Sequence, residues 1–403
     1  MPSISRRAVI TPASPIRKLV PFADAATKQG VKIYHLNIGQ PDIKSPPKFL
    51  KAIRSYPKSV VAYENSLGNP KLRLGLASYY HGVGIPADPE NIIVTTGGSE
   101  AILFAILATC DPGDELLVFE PTYANYLGFA AMAAVSLRAI TTRAETGFHL
   151  PRPDVIKRHI TSNTKAIIIN NPNNPTGTLY TPSELAMVNN LAIKHELFVI
   201  SDETYREFAY ERTLPKSLLT YGKTPRHVIL VDSFSKRYSL CGARLGCLVT
   251  YNQKILESVT KFAQARLASP SVEQYAAVEA LKTQTSYFAK VNREYKKRRN
   301  VLIRALQKIP GVFVQKPEGA FYCVARLPVK NAEAFAKWLL TDFRDRGETV
   351  MLAPADGFYL SKNHGKDEVR IAYVLNSRAL ARSVEIIKKA LAIYRKKNTT
   401  KHS

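Results

Sequence analysis

Lys236 and Arg244 stand eight positions apart in Ser233-Phe-Ser-Lys-Arg-Tyr-Ser-Leu-Cys-Gly-Ala-Arg-Leu-Gly246, directly behind the apolar run Val228-Ile-Leu-Val231. A β-branched apolar run of this kind predicts a buried strand. Lys236 then leaves its carboxyl end, the edge of an α/β sheet where ligands gather. A lysine amine held there among hydroxyls and partly desolvated can lose its proton and form a Schiff base with an aldehyde. Arg244 and Ser233 can hold an anionic group of the same molecule, and phosphate suits an arginine fork beside a serine hydroxyl. A lone loop lysine is more often a solvated surface charge, so the assignment depends on what the other strand ends carry.

Each of them carries a group of matching chemistry. Gly97-Gly98-Ser99 follows Ile92–Thr95 and opens the helical run Glu100–Ala108, so backbone N–H groups, a hydroxyl and a helix N-terminus converge, with the acidic Glu100 next door. That is an anion site in physical terms, although such glycines alone often mark only a tight turn. Asp202 ends the run Leu197–Ile200, where a carboxylate must be paired or hydrated. Facing a pyridine nitrogen it would keep the ring protonated and make it an electron sink; the competing role is a helix cap. Tyr205 can donate its hydroxyl to a phenolic oxygen on that ring. In Asn170-Asn-Pro-Asn-Asn-Pro-Thr-Gly177, the Asn-Pro steps impose extended or turn geometry and fix the backbone of Asn174, whose amide can bond a phenolic oxygen and a substrate carboxylate. Tyr123, in Glu120-Pro-Thr-Tyr, offers a flat face for stacking or a place in the core. Arg370 lies inside the apolar Val369-Arg-Ile371, where an unpaired guanidinium is costly. Its partner is either a structural Asp or Glu or an incoming carboxylate held by a bidentate fork.

The elements that position these residues follow from hydrophobic patterning. A chain of 403 residues with 45% hydrophobic content exceeds the size at which one core usually splits. Apolar runs at 92–95, 115–119, 166–169, 197–200, 228–231 and 245–249 alternate with helical segments, a doubly wound α/β pattern. From about residue 285 the pattern changes to a long basic helix Tyr287–Leu306, strands near Val312–Val314 and Phe321–Val324, a helix Ala332–Arg346 and a strand Val369–Tyr373. The expected division is therefore 1–45 as an N-terminal arm joined to the smaller unit, 46–285 as the large cofactor-binding domain, and 286–403 as a smaller α+β domain.

Composition narrows the function classes. No apolar run reaches the length of a membrane span, and Met1-Pro-Ser-Ile-Ser-Arg-Arg lacks the apolar stretch of a secretory signal, so a soluble, cytoplasmic protein is expected. Cys110, Cys241, Cys247 and Cys323 form no CxxC pair, and the eight histidines form no HxH or HExxH, so neither a disulfide framework nor a metal site is expected. The net charge of +25 raises nucleic-acid binding. Its densest runs, Lys296–Arg299, Lys388-Lys389 and Arg395–Lys397, fall on helical segments as solvated faces, with no nucleic-acid motif beside them, so no nucleic-acid partner is expected. The charge can instead steer small dianions to a site. Only the polar end Asn398–Ser403 looks like a tail.

Taken in order, Leu36-Asn-Ile-Gly39-Gln-Pro-Asp, Tyr63 with Gly68-Asn-Pro-Lys-Leu-Arg73, Gly97-Gly-Ser-Glu-Ala, Pro121-Thr-Tyr123, Asn174-Pro-Thr-Gly177, Asp202-Glu-Thr-Tyr205, Lys236, Arg244 and Arg370 resemble the class I and II aminotransferases over nearly the whole chain. These are fold type I enzymes that use pyridoxal 5′-phosphate. The resemblance implies a large domain with a mainly parallel seven-stranded sheet between helices, plus a smaller α+β domain. It implies that Lys236 holds the cofactor as an aldimine and, once freed, moves the proton between the substrate α-carbon and the cofactor. Gly98, Ser99, Glu100, Tyr123, Asn174, Asp202, Tyr205, Ser233 and Arg244 would contact the cofactor, and Arg370 would bind the α-carboxylate with Asn174 and the Gly39 backbone. Tyr63 would reach the phosphate of a neighbouring subunit, which implies a homodimer with shared sites.

Within the family the chain looks closest to the prokaryotic aspartate aminotransferase branch, which also holds enzymes for alanine, aromatic amino acids, kynurenine and prephenate. The implied reaction moves an amino group from an L-amino acid, aspartate foremost, to 2-oxoglutarate in two half-reactions. The alternatives are those other donors, or a C–S β-lyase of the same fold. A regulator built on this fold would need a helix-turn-helix domain that the residues before Gly39 are too few to hold. Arg17, Lys18 and Arg138 are the candidates to read a distal substrate carboxylate.

Overall fold

The computed structural model describes residues 2–211 and 215–399, so residues 400–403 of the polar end lie outside the described residues. Strand β1 (Lys32–His35) follows an N-terminal arm carrying the helix Val20–Lys28. Seven strands then form one sheet: β2 (Ile92–Thr95), β3 (Glu115–Glu120), β4 (Ser136–Thr141), β5 (Thr164–Asn170), β6 (Phe198–Asp202), β7 (Val228–Ser233) and β8 (Gly246–Val249). Their order is β2-β8-β7-β6-β5-β3-β4. All neighbours run parallel except β8, which is antiparallel to both β2 and β7.

This is the expected mainly parallel sheet, and its central strands explain the apolar runs. Every residue of β2, β7 and β8 is buried, because helices cover both faces. Apolar side chains from alternate positions feed separate cores on the two faces, with Ile167, Val199 and Leu230 in one and Ile168, Ile200 and Val231 in the other.

The remaining strands are β9 (Phe313–Val314), β10 (Tyr322–Arg326), β11 (Glu348–Met351), β12 (Ala353–Pro354) and β13 (Glu368–Ala372). They form an antiparallel sheet, β12-β13-β10-β9, while β11 pairs in parallel with β1. The N-terminal arm thus joins the C-terminal part of the chain. The helix Thr285–Leu306 carries the chain from the large sheet into this second layer.

Two details differ from expectation. The edge strand β4 has no continuous apolar run, since only Ile140 of Ser136-Leu-Arg-Ala-Ile-Thr141 is buried. The helix expected to reach Arg346 ends at Thr341. Arg344 folds back there, donating to the carbonyls of Leu339 at 3.2 Å and Leu340 at 2.9 Å, and so takes up acceptors that a helix end leaves open.

Among the described residues no helix is long and apolar enough to cross a membrane, and no group of three His, Cys, Asp or Glu could hold a metal ion.

Glu120, at the end of β3, fastens the two layers together. Its fully buried carboxylate accepts from the backbone N–H groups of Leu360 at 2.6 Å and Ser361 at 3.1 Å, and from Thr141 Oγ1 at 2.7 Å. Replacing it strands those donors. Glu120→Ala is expected to destabilise the protein by about 2–4 kcal/mol, read as a lower thermal midpoint and faster proteolytic cutting near residues 355–361. An unchanged midpoint and cutting rate would dismiss the latch.

Candidate active site

Strand β7 delivers Lys236. It ends at Ser233, whose Oγ caps the short helix Phe234–Arg237 by accepting from Ser235 N at 3.1 Å. The next side chain, Arg237, is held on the far side. Its buried guanidinium pairs with Asp232 at 2.5 Å and Glu207 at 2.7 Å and lies over the Tyr79 ring at 4.1 Å. With Arg237 pinned behind the helix, Lys236 projects the other way, into a cleft. There its half-buried Nζ donates to the Gly39 carbonyl at 3.0 Å and lies 3.8 Å from Cys241 Sγ.

That cleft, of about 640 Å³, collects eleven of the thirteen residues expected to form the site. The large sheet supplies Gly98, Ser99, Tyr123, Asn174, Asp202, Tyr205, Ser233, Lys236 and Arg244, and the arm and small sheet supply Gly39 and Arg370. The parallel topology is the cause, because the carboxyl ends of β3, β5, β6 and β7 all lie at one sheet edge.

Two expected residues lie elsewhere. The Glu100 carboxylate turns back to accept from Thr96 N at 2.8 Å and sits 3.7 Å from Arg266. It satisfies a free N–H at the start of its own helix, so this side chain is turned away from the cleft. Tyr63 is 79% exposed and outside the cleft of its own chain.

Asp202, Asn174 and Arg370 are strongly desolvated. Asp202 accepts from Tyr126 Oη at 2.7 Å and Thr204 N at 3.2 Å, and no Lys or Arg among the described residues pairs with it. Burial pushes its carboxyl above the usual range, and these hydrogen bonds only partly offset that. Asn174 is fixed by its backbone N–H, which donates to Asn170 Oδ1 at 2.6 Å. Its own Oδ1 accepts from Arg370 Nη1 at 3.2 Å.

Arg370 is 1% exposed, in the middle of β13. Its Nη2 donates to the Asn37 carbonyl, its Nε has no partner, and the rings of Tyr322 and Phe358 lie 4.7 and 4.9 Å from its guanidinium carbon. The structural carboxylate that could have paired with it does not exist among the described residues. Burial lowers its pKa.

Tyr205 Oη shares a hydrogen bond with Tyr322 Oη at 2.9 Å. Burial raises the Tyr123 hydroxyl to about 12.

At the phosphate-suited end, Gly97 has φ +77° and the Arg244 guanidinium lies 2.6 Å from where a Cβ would stand. A side chain there would be strained and would displace Arg244. Gly39 is equally confined, since a Cβ would overlap the Tyr322 hydroxyl.

The sequence model of the aminotransferase class I and II family matches residues 31–387. The chain belongs to this family. It is 31% identical over 394 residues to an aspartate aminotransferase of Pyrococcus horikoshii, covering 96% of this chain and 97% of that one. Solved structures superpose on it, two of them as follows. One is an aspartate aminotransferase from Thermus thermophilus with maleate, at TM-score 0.87, 28% identity and coverage of 97% and 100%. The other is an alanine aminotransferase from Pyrococcus furiosus, at TM-score 0.88, 29% identity and the same coverage.

The protein is therefore a transaminase of fold type I, in the aspartate aminotransferase branch, and it uses pyridoxal 5′-phosphate held by a lysine. The cleft fits that group. It offers an amine, a buried carboxylate lacking a cation, a hydroxyl pair, and a glycine turn beside a serine and an arginine.

Four contributors were not anticipated. Tyr126 lies one helical turn after Tyr123, a spacing that could have drawn attention to it. Asn170 acts locally, on the backbone N–H of Asn174 four positions on; Tyr322 acts only through contacts made in space, and Arg237 owes its role to Asp232 and Glu207 behind the helix.

In the aminotransferase without cofactor, folded Asp202 holds its proton more tightly than the unfolded chain does. The folded state therefore loses stability as pH rises from the ordinary carboxylate value through the raised one, and the loss is absent below the ordinary value. Asp202→Asn is expected to raise the thermal midpoint of the cofactor-free protein at neutral pH, with the gain shrinking towards acid pH, while weakening cofactor retention. A lower midpoint at neutral pH together with unchanged retention would contradict this.

Proposed function

We propose that this aminotransferase moves the amino group of an L-amino acid, aspartate foremost, to 2-oxoglutarate by a ping-pong mechanism, in the cytoplasm and as a homodimer. The observation that carries the reading is a buried guanidinium, Arg370, with no carboxylate partner, in the same cleft as the amine of Lys236 and the carboxylate of Asp202. In this reading Lys236 binds the cofactor and then holds and moves the proton at the substrate α-carbon. Arg370 and Asn174 orient the α-carboxylate, with the Gly39 backbone beside them. Asp202 faces the ring nitrogen, Tyr205 and Asn174 its phenolic oxygen, and Tyr123 its face. The Gly98-Ser99 turn, Ser233 and Arg244 hold the phosphate. The bound cofactor supplies an electron sink for the carbanion.

Among the cations suggested for a distal carboxylate, geometry favours Arg17. Lys18 is bonded to Glu333 and lies 3.7 Å from Asp356, and Arg138 sits 3.6 Å from Glu115 on the edge strand. Arg17 lines the cleft, and no hydrogen bond or ion pair among the described residues uses its side chain. The homodimer draws support from Val60, Val61 and Tyr63, which are 69%, 63% and 79% exposed in one stretch. The β1–β11 pairing supports the division into 1–45, 46–285 and 286–403.

A panel of amino donors against 2-oxoglutarate tests the reading. Aspartate should be the best donor, and Lys236→Ala should reduce transamination by ~10³-fold or more. Pyruvate and ammonia released without an oxo-acid acceptor would instead indicate a lyase. Arg17→Ala should lower kcat/KM for aspartate about tenfold while leaving alanine nearly unaffected; an equal loss for both donors would remove Arg17 from that role.

A further inference from the structure

Two phenols meet in the cleft from different layers of the fold. Tyr205 follows β6 of the large sheet, and Tyr322 opens β10 of the small sheet, 117 positions later. Their hydroxyl oxygens lie 2.9 Å apart, and the rings stand edge to face at 5.6 Å and 80°. Both rings are held by neighbours. Phe321 stands edge-on to Tyr205 at 5.2 Å, the Arg370 guanidinium lies 4.7 Å from the Tyr322 ring, and the Tyr322 hydroxyl fills the place a side chain at Gly39 would take.

Neither hydroxyl has another hydrogen-bond partner among the described residues. A phenol has one proton to give, so the pair holds two protons and uses one of them between its oxygens. The second O–H is left without an acceptor of the protein. Both residues line the cleft, which makes that proton available to a bound group. Burial holds the Tyr205 hydroxyl well above its ordinary range, so it stays a donor at neutral pH. Under the proposed function Tyr205 donates to the phenolic oxygen of the cofactor. Its single proton is then committed there, and the bridging proton has to come from Tyr322.

We propose that Tyr322 is a positioning residue for the cofactor's phenolic oxygen, acting through Tyr205: its hydroxyl donates to Tyr205 Oη, and so directs and strengthens the bond that Tyr205 donates. The inference rests on the placement of Tyr205 at that oxygen. Hydrogen bonds in series polarise one another, so a hydroxyl that itself accepts a bond is the better donor. A better donor favours the ionised oxygen and lowers the pH at which the bound cofactor takes up a proton. The opposite order, Tyr205 donating to Tyr322, would aim the spare proton of Tyr322 at a carboxylate beside Arg370.

The test is the pH dependence of the cofactor's absorbance in the loaded enzyme, measured for the wild type, Tyr205→Phe, Tyr322→Phe and the double variant. Phenylalanine keeps both rings, and the charged groups that share the cleft, Lys236, Arg17, Arg244, Arg370 and Asp202, are left in place. Tyr205→Phe should raise the midpoint by about one unit and Tyr322→Phe by about half a unit, and Tyr322→Phe should add nothing once Tyr205 is replaced. A Tyr205→Phe midpoint equal to that of the wild type would remove Tyr205 from the phenolic oxygen, and the proposal with it. A shift in Tyr205→Phe with none in Tyr322→Phe, or the same Tyr322→Phe shift in both backgrounds, would overturn the proposal and leave the placement of Tyr205 standing. Weaker maleate binding by Tyr322→Phe with no shift of the midpoint would overturn it in favour of the opposite order.

Discussion

A guanidinium buried without a counter-ion organises this molecule. Taking Arg370 out of water costs several kcal/mol that only neutral carbonyl oxygens and ring faces offset. Those partners come from different parts of the fold. Asn37 belongs to the N-terminal arm, Asn174 to the loop after β5, and Tyr322 to β10 beside it. Arg370 can keep its orientation only while the arm, the large sheet and the small sheet stay docked. In the proposed reading, the charge it withholds from the protein is available to a ligand carboxylate, whose binding offsets that cost.

The same logic distributes charge across the cleft. Lys236, Arg244, Arg370 and Arg17 face it, against the single carboxylate of Asp202 among the described residues. A positive, partly enclosed site of this kind concentrates dianions such as a phosphate-bearing cofactor or a dicarboxylic amino acid, and the net charge of +25 extends the attraction outward. Behind the short lysine helix the order is reversed, with acidic groups gripping Arg237. Two adjacent basic residues are thereby sent to opposite environments, one structural and one chemical.

Much of this was legible because the two kinds of signal coincide. β7 is apolar from Val228 to Val231 since helices cover both faces, and the residue types at its end are chemical since all parallel strands terminate at one edge. Where a strand lies at the edge the signal fades, as in β4, where only Ile140 is buried. The helix Ala332–Thr341 was overextended because nothing in its periodicity announces that Arg344 will cap it. At the site, Glu100 shows the limit of motif reasoning. Its position in the first helical turn was right, but a free backbone N–H decided where its carboxylate points. Tyr126 and Asp202 meet across 76 positions, a pairing that helix–sheet packing determines and local sequence does not encode.

The central claim is that Arg370 is kept unpaired for a carboxylate. It is tested most directly by titrating the cofactor-loaded wild type and Arg370→Leu with maleate, a dicarboxylate lacking the amino group needed for reaction. The account predicts saturable binding to the wild type and about 10–100-fold weaker binding to a folded Arg370→Leu. Equal affinity for the two proteins would contradict it.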